Sequence, residues 1–349
     1  MTAYDAFLLV SFGGPEGPDD VLPFLANVTR GRNIPPERLA GVAEHYLAVG
    51  GVSPINQQCR DLLAAVRADF AANGLSLPLY WGNRNWAPYL ADTVQAMADA
   101  GVRRAVAFVT SAYSSYSSCR QYRDDIEQAR AAVGPAAPRI DKIRHFFNHP
   151  GFIEPFAGNV RAALATLPAE LRDDAHLVFT AHSVPLAMAE ASGPAGDGGR
   201  YVAELTEAAR LIAERTGAGA HPTSLVYQSR SGPPAQPWLE PDVREHLGEL
   251  AKSGTQAVVV VPVGFVSDHM EVRHDLDVEA AETAGSLGLA FARAATPGTS
   301  PRFASMITEL VTERLAEPDI PAVPGTGAAL GCLGVPGQTC PAGCCGGAR

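Results

Sequence analysis

Three acidic residues follow one another at intervals of four, shortly after a strongly apolar stretch. Residues 257–263 are nearly all apolar and rich in valine, which is typical of a strand buried on both faces of a parallel sheet. Beyond this stretch, Glu271, Asp275 and Glu279 would form one acidic stripe on a helix. Like charges at this spacing repel by about 0.2–0.5 kcal/mol per pair, so the stripe needs either solvent or a cation. The pattern therefore indicates a path or a site for divalent cations.

The same segment also allows a purely structural interpretation. Asp268 as the N-cap, with Glu271 three residues later, would form a capping box at the positive end of the helix dipole. A cap explains these two carboxylates, but it does not explain His269, Asp275 and Glu279 together. Both interpretations stay open at this point.

A histidine follows another predicted strand in the second half of the chain. His182 lies directly after residues 176–180, in a turn that contains Pro185. An imidazole at such a position can accept a proton from a weakly acidic N–H group near neutral pH. The ordinary alternative is a polar side chain that only bonds a neighbouring carbonyl. If both strand ends face one cleft, His182 meets His269 and Glu271, a donor set that suits a transiently bound divalent cation.

The C-terminal tail carries a separate signal, because four of the six cysteines lie in the last 18 residues. This segment is too rich in glycine, proline and alanine to bury a core, so only a bound metal would order it. The cysteine spacing lacks the paired C-x2-C of most zinc ribbons, but four thiolates suffice for one iron–sulfur cluster. The alternative is a disordered, reduced tail. The four residues are Cys332, Cys340, Cys344 and Cys345.

Length and charge restrict the class of protein. A chain of 349 residues is long enough for two domains, and its hydrophobic fraction of 46% is that of a globular protein. The formal net charge of −10 argues against a nucleic-acid partner. No apolar run approaches the ~18–20 residues of a transmembrane helix, and the N-terminus lacks the basic region of a signal peptide. We therefore expect a cytoplasmic protein without a transmembrane segment.

The two halves of the chain repeat one plan. Each half shows three strand-like segments separated by helical patterns, and LYWGNRNWAPYL in the first half is similar to LVYQSRSGPPAQPWLEP in the second. This order predicts an α/β fold of two similar Rossmann-like lobes, each a four-stranded parallel sheet flanked by helices, with the active-site cleft between them. The expected domains are 1–150, 151–325 and the cysteine-rich tail 326–349. The predicted strands are 6–12, 77–81, 105–110, 176–180, 224–228 and 257–263.

The first lobe would supply the opposite wall of the cleft. Arginine and hydroxyl groups around an apolar pocket suit a large planar ligand that bears carboxylates. The chain has neither a G-x-G-x-x-G nor a Walker A sequence, so a nucleotide is a poor candidate. The wall residues are Arg30, Arg32, His45, Tyr46, Ser53 and Tyr122.

Five segments together resemble the ferrochelatases: SFGGPEGPDDV, YLAVGGVSPI, FTAHSVP, QSRSGPPAQPWLEPD and VPVGFVSDHMEVRHDLDVE. The resemblance implies insertion of ferrous iron, a substrate, into a porphyrin. It implies that His182 receives the pyrrole protons with Glu271 as its partner, and that Asp275 and Glu279 extend these two into a path for metal or protons. Substrate-binding positions implied in the same way are Phe12, Arg30, Ser53, Tyr122, Trp238 and His269.

Two departures from the family pattern matter. Phe12 stands where some members have an iron-contacting tyrosine, and a phenyl ring cannot bind metal. Members with a [2Fe–2S] cluster often take one cysteine from the second half of the fold. Residues 149–160 contain none here, so we expect the tail to supply all four ligands, with Cys119 as a distant reserve.

The resemblance favours coproporphyrin III as the substrate, with a transient partner for iron delivery or haem hand-off. The alternatives are protoporphyrin IX as substrate, a chelatase for cobalt or nickel, and a non-catalytic haem carrier. A bilobal solute-binding protein is a further alternative, but such proteins normally carry an export signal.

Overall fold

The first half of the chain forms a parallel four-stranded sheet. The computed structural model describes residues 4–31, 34–217, 221–233, 235–316, 327–337, 340–341 and 343–346. The strand order is β2-β1-β3-β4, and the central strand β1 is buried along its whole length. The strands are β1 (Ala6–Ser11), β2 (Leu79–Asn83), β3 (Arg104–Val109) and β4 (Arg139–Lys142).

The second half forms a sheet of the same kind and the same order, β6-β5-β7-β8. This repetition confirms the predicted fold class of two similar α/β lobes. The fourth strand of each sheet lies at an edge, and neither was located from the sequence. The strands are β5 (His176–His182), β6 (Thr223–Gln228), β7 (Ala257–Val261) and β8 (Ala290–Arg293).

Helices connect the strands and cover the faces of both sheets. Two segments are π-helical, residues Tyr116–Arg120 and Arg273–Ala280, and the second lies between α10 and α11. No helix of the described residues is both long and apolar enough to cross a bilayer. The helices are α1 (Val21–Val28), α2 (Pro36–Ala48), α3 (Ile55–Ala72), α4 (Leu90–Asp99), α5 (Gln121–Val133), α6 (Pro150–Thr166), α7 (Leu186–Glu190), α8 (Arg200–Thr216), α9 (Val243–Lys252), α10 (Met270–Val272), α11 (Ala281–Ser286) and α12 (Pro301–Ala316).

One hydrophobic core extends under both sheets. It joins Phe7 of β1 and Phe179 of β5 through Phe152 of α6 and Phe303 of α12. Helix α12 packs against both α6 and α3, although α3 belongs to the first half of the chain. Because the two sheets share this core, the ends of their strands are held at a fixed separation.

The domain limits stay predictions. The helix expected over 158–167 is longer than predicted, since α6 begins at Pro150, directly at the proposed limit. The limit at 325/326 and the position Arg32 lie outside the described residues.

Candidate active site between the two sheets

His182 is the last residue of β5, so its side chain emerges at the carboxyl end of the second sheet. Its Nδ1 contacts the backbone oxygen of Ser183. A carbonyl oxygen only accepts, so Nδ1 carries the proton and the lone pair is on Nε2. Nε2 lies 3.8 Å from Glu271 Oε2, and the imidazole is 34% exposed. The structure therefore brings His182 and Glu271 together with a free base nitrogen between them.

Glu271 is held by a cap that differs from the one suggested by the sequence. Helix α10 begins after His269, whose Nδ1 accepts the amide of Val272 at 3.5 Å. Asp268 instead forms an ion pair with Arg293 of β8 at 3.1 Å. The capping-box interpretation is therefore wrong, because a strand 25 residues away takes the carboxylate that would have capped the helix. The acidic residues that follow are not explained by capping.

Asp275 lies in the π-helical segment that continues α10. Its carboxylate accepts hydrogen bonds from Gln228 Nε2, at 3.2 Å, and from the Ser229 hydroxyl, both at the end of β6. Burial raises the pKa of Asp275 to about 6, although the Ser229 bond opposes this and the neighbouring Glu271 and Glu279 add to it. A carboxyl with this pKa exchanges protons readily near neutral pH. Widened turns of this type frequently occur at functional sites.

Glu279 lies farther along the same segment and has basic neighbours. Arg244 Nη1 lies 3.2 Å from its carboxylate and His274 Nε2 lies 3.7 Å away. The His274 ring stacks on His45 of α2, with ring centroids 4.3 Å apart, so the two lobes meet here. Burial, followed by His45, lowers the pKa of His274. Glu271, Asp275 and Glu279 thus follow one another from His182 towards this contact.

Apolar side chains of the first lobe face this acidic segment. Phe24 and Tyr46 form a buried cluster with Met270 of α10, and Phe12 and Trp86 pack against it. Tyr46 is close enough to Glu271 and Asp275 for their charges to raise its pKa, although burial is the larger cause. The cluster gives the cleft one apolar wall beside its charged one.

A buried arginine near Phe12 was not found from the sequence. Arg84 forms an ion pair with Asp125, and its guanidinium lies 5.5 Å from the ring centroid of Phe12 and 5.0 Å from that of Tyr122. Only the position of Arg84, one residue beyond β2, could have indicated a strand-end role.

Three of the residues expected to bind the substrate have different surroundings. Arg30 is exposed after α1 and donates to Asn27 Oδ1. Ser53 is 4% exposed, and its Oγ accepts the Ile55 amide at 3.5 Å at the start of α3. Tyr122 is 4% exposed within the core beneath the first sheet. Of the three, only Arg30 reaches solvent.

Trp238 lies beside the turn that follows His182. Its backbone pairs with Pro185, and its indole Nε1 is buried with no hydrogen-bond partner among the described residues. Its ring covers Gly232, where any Cβ would come within about 2.3 Å of the indole. The predicted substrate position therefore lies next to the turn that follows β5 and His182.

The structure gathers four cysteines, but the set differs from the expected one. Cys119 Sγ lies 3.7 Å from Cys340 Sγ, and Cys344 Sγ lies 3.9 Å from Cys345 Sγ. Cys340 also hydrogen-bonds Cys344, which joins the two pairs. Cys332 is exposed, and its amide donates instead to Glu207 at 2.9 Å. Cys119, expected only as a distant reserve, belongs to this group, whereas Cys332 lies outside it.

Comparison with known proteins identifies the family of this chain. The family model described as Ferrochelatase matches residues 4–315. The chain belongs to the ferrochelatase family. The coproporphyrin III ferrochelatase of Streptomyces coelicolor is 57% identical over 98% of this chain and 93% of its own length. The one from Nocardia farcinica is 56% identical over 98% and 97%.

A solved structure supports the fold alone. SirB from Bacillus subtilis with Fe3+ has a TM-score of 0.54 and 12% identity over 90% of this chain and 96% of its own. Family membership makes the protein a metal chelatase whose substrates are a porphyrin and ferrous iron. It also agrees with the expectation of an enzyme rather than a haem carrier.

Proposed function

We propose that this ferrochelatase inserts ferrous iron into coproporphyrin III to give coproheme, a step in haem biosynthesis. The observation that carries the proposal is the 3.8 Å approach of His182 Nε2, at the end of β5, to Glu271 Oε2, in α10. The choice of porphyrin is supported by the names of relatives that are 56–57% identical over almost the whole chain.

His182 acts as the base in this proposal. Each iron that enters the macrocycle replaces two pyrrole protons, which need an acceptor. The Nδ1–H bond to Ser183 leaves the Nε2 lone pair available. Glu271 stabilises the imidazolium that forms after proton transfer, and it provides an oxygen ligand for the incoming cation.

Asp275 and Glu279 carry metal or protons between the base and the outside. Asp275, with a pKa of about 6, can change its protonation state at little cost. The carboxylates of Glu271 and Glu279 repel each other's negative charge across Asp275, so a passing cation is stabilised there. Because Phe12 cannot bind metal, iron in the centre rests on His182, Glu271 and the porphyrin nitrogens.

The apolar wall suits a flat macrocycle. Phe12 and Trp238 would contact the ring, and His269 lies beside Glu271 at the start of α10. Arg30 would meet a carboxylate of the substrate periphery, since it is exposed. Ser53 and Tyr122 are buried, so they would support the first lobe behind this wall rather than contact the substrate. Binding energy at the periphery can offset distortion at the ring centre.

We further propose a [2Fe–2S] cluster bound by Cys119, Cys340, Cys344 and Cys345. Four sulfurs joined by successive contacts supply the number of thiolates that such a cluster needs. No three of the described His, Cys, Asp or Glu side chains are already arranged around one metal position, so the cysteines would rearrange as the cluster binds. Hydrogen bonds from Cys119 and Cys344 strongly lower the pKa of Cys340, and a bond from Cys344 lowers that of Cys345 to about 7. The same hydrogen bonds raise the pKa of Cys119 and of Cys344 well above the usual thiol value. Cys340 and Cys345 are therefore prepared as thiolates, and Cys119 and Cys344 would lose their protons when metal binds. The cluster would order the tail.

The cytoplasm is the proposed location. None of the six cysteines, all within the described part of the chain, forms a disulfide, as expected in a reducing compartment. Free ferrous iron and free haem are both reactive, so a transient partner for iron delivery or haem hand-off is part of the proposal.

The test is an anaerobic assay with ferrous iron and either coproporphyrin III or protoporphyrin IX. Loss of free-porphyrin fluorescence measures insertion, and parallel reactions with cobalt or nickel test the other metals. We expect the highest kcat/KM with iron and coproporphyrin III. Faster turnover of protoporphyrin IX would contradict the substrate, and tight porphyrin binding without insertion of any metal would contradict the activity.

A further inference from the structure

The turn between α7 and α8 is attached to the cysteine tail. The Gly193 amide donates to Cys345 Sγ at 3.3 Å, and the Cys345 amide donates to Gly193 O at 2.8 Å. Gly193 has a φ of +106°, and a Cβ there would lie 2.5 Å from Arg200 Cγ. This reciprocal pair therefore needs glycine, and it fixes the tail to the turn at one point.

The same turn is attached to the first residues of α8. Ser192 is fully buried, and its Oγ accepts the Tyr201 amide at 2.8 Å. The Ser192 carbonyl accepts the amide of Arg200 at 3.2 Å. Since Ser192 is bonded to both residues, a shift of the neighbouring Gly193 would displace the start of α8.

Tyr201 connects the start of α8 to the active site. Its hydroxyl donates to the backbone oxygen of His182 at 2.9 Å. The side chain is 6% exposed, and burial raises its pKa well above the usual range, so the hydroxyl keeps its proton. This bond fixes the peptide between His182 and Ser183. The carbonyl of Ser183 in turn holds Nδ1 of the His182 ring.

We propose that Tyr201 is a positioning residue for His182, and that the turn 192–201 connects the cysteine tail to the catalytic base. The sequence of contacts runs from Cys345 to Gly193, through Ser192 to Tyr201, and ends at His182. Tyr201 does not touch the substrate. The inference rests on the role given to His182 in the proposed function.

Tyr201→Phe tests the first part, because it removes one hydroxyl and keeps the ring. The 13C-labelled histidine spectrum reports the His182 ring, assigned by the signal that His182→Ala removes. We expect the His182 signal to shift and kcat to fall about tenfold, the loss expected for one buried hydrogen bond, with KM for the porphyrin unchanged. Ser192→Ala, which leaves Tyr201 and the cysteines in place, should shift the same signal in the same direction.

Tyr113→Phe is the matched control. Tyr113 is a buried tyrosine whose ring centroid lies 6.4 Å from that of Tyr201. Its hydroxyl also donates to a backbone oxygen, that of Val263, at 2.8 Å. In the described part of the chain its hydroxyl makes no hydrogen bond to His182, so the control should leave the His182 signal in place. An equal shift in both variants would show a general loosening of the core and would overturn the inference.

A double-mutant cycle tests the connection to the tail. Cys345→Ala should shift the His182 signal when Tyr201 is present and have almost no further effect in the Tyr201→Phe background. Additive shifts would overturn the connection. An unmoved His182 signal in Tyr201→Phe overturns the inference but leaves the proposed function intact. A moved signal with full activity would show that this bond does not position His182 for the reaction, and it would overturn the inference while leaving the proposed function intact.

Discussion

Asp275→Asn should make the protein more stable and less active. The folded protein raises the pKa of this carboxyl from 3.8 to about 6, chiefly because the group is buried. The native state therefore binds the proton more tightly than the unfolded chain does. Above pH 6 the ionised side chain costs the native state free energy, whereas below pH 3.8 both states are protonated and there is no cost. The cost grows as the pH rises between these values.

A shift of about two pKa units corresponds to about 3 kcal/mol, at 1.36 kcal/mol per unit. An asparagine at this position keeps an oxygen that can accept from Gln228 and Ser229. We therefore expect Asp275→Asn to raise the free energy of unfolding by up to about 3 kcal/mol at pH 7.5 and by almost nothing near pH 4. Iron insertion should slow, since an amide neither transfers protons nor attracts a cation as a carboxylate does.

Anaerobic urea denaturation at the two pH values measures the free energy of unfolding. Asp277→Asn is the control, because it is the same substitution in the same π-helical segment. Asp277 has favourable ion pairs with Arg293 and Arg273, so this variant should not be stabilised. An equal gain for Asp275→Asn at both pH values, or no gain at pH 7.5, would refute the reasoning about the buried carboxylate.

Two further predictions concern the cysteines and the outer carboxylate. Cys119→Ser should abolish the visible absorption of an iron–sulfur cluster in anaerobically purified protein, whereas Cys332→Ser should keep it; the reverse pattern would contradict the ligand set proposed above. Glu279→Gln should raise KM for ferrous iron about fivefold, the effect of losing roughly 1 kcal/mol of charge interaction at a half-exposed site, and leave kcat nearly unchanged. A fall in kcat alone, without a change in KM for iron, would mean that Glu279 does not help to bind the metal.

Three strands of each sheet were predictable from the sequence, including the edge strands β2 and β6, whereas the last strand of each sheet was not. The apolar run that became β7 is buried on both faces, so its composition identifies it. The edge strands β4 and β8 have only four residues each, and β4 reads RIDK, with a single apolar side chain. Such a segment becomes a strand because it forms hydrogen bonds with the neighbouring strand of the sheet. Its own sequence does not indicate that this pairing will form.

The proximity of His182 and Glu271 was predictable, because segments that follow parallel strands lie at the same edge of the sheet. The cap of α10 depends on a tertiary contact and was not predictable. Arg293 of β8 takes Asp268 and leaves His269 to cap the helix.

The membership of Cys119 in the cysteine group could not be predicted, for a similar reason. Cys119 and Cys340 are separated by 221 residues, and the glycine-rich tail gives no periodic pattern from which its path could be inferred. Proximity in sequence favoured Cys332, which lies closer to the other tail cysteines along the chain. The fold instead brings Cys340 to the π-helical segment Tyr116–Arg120, which contains Cys119.

Single-turnover iron insertion by His182→Ala tests the central claim most directly. The measurement combines porphyrin binding, followed by fluorescence without iron, with insertion after ferrous iron is added. His246→Ala is the control, since this histidine bonds Ser224 at 2.8 Å and Glu249 at 3.5 Å, and the described residues show no hydrogen bond or ion pair between it and His182 or Glu271. We predict normal porphyrin binding in both variants, with insertion slowed about 10²–10⁴-fold only in His182→Ala, the usual loss for a general base. Insertion at the normal rate without His182 would contradict the account.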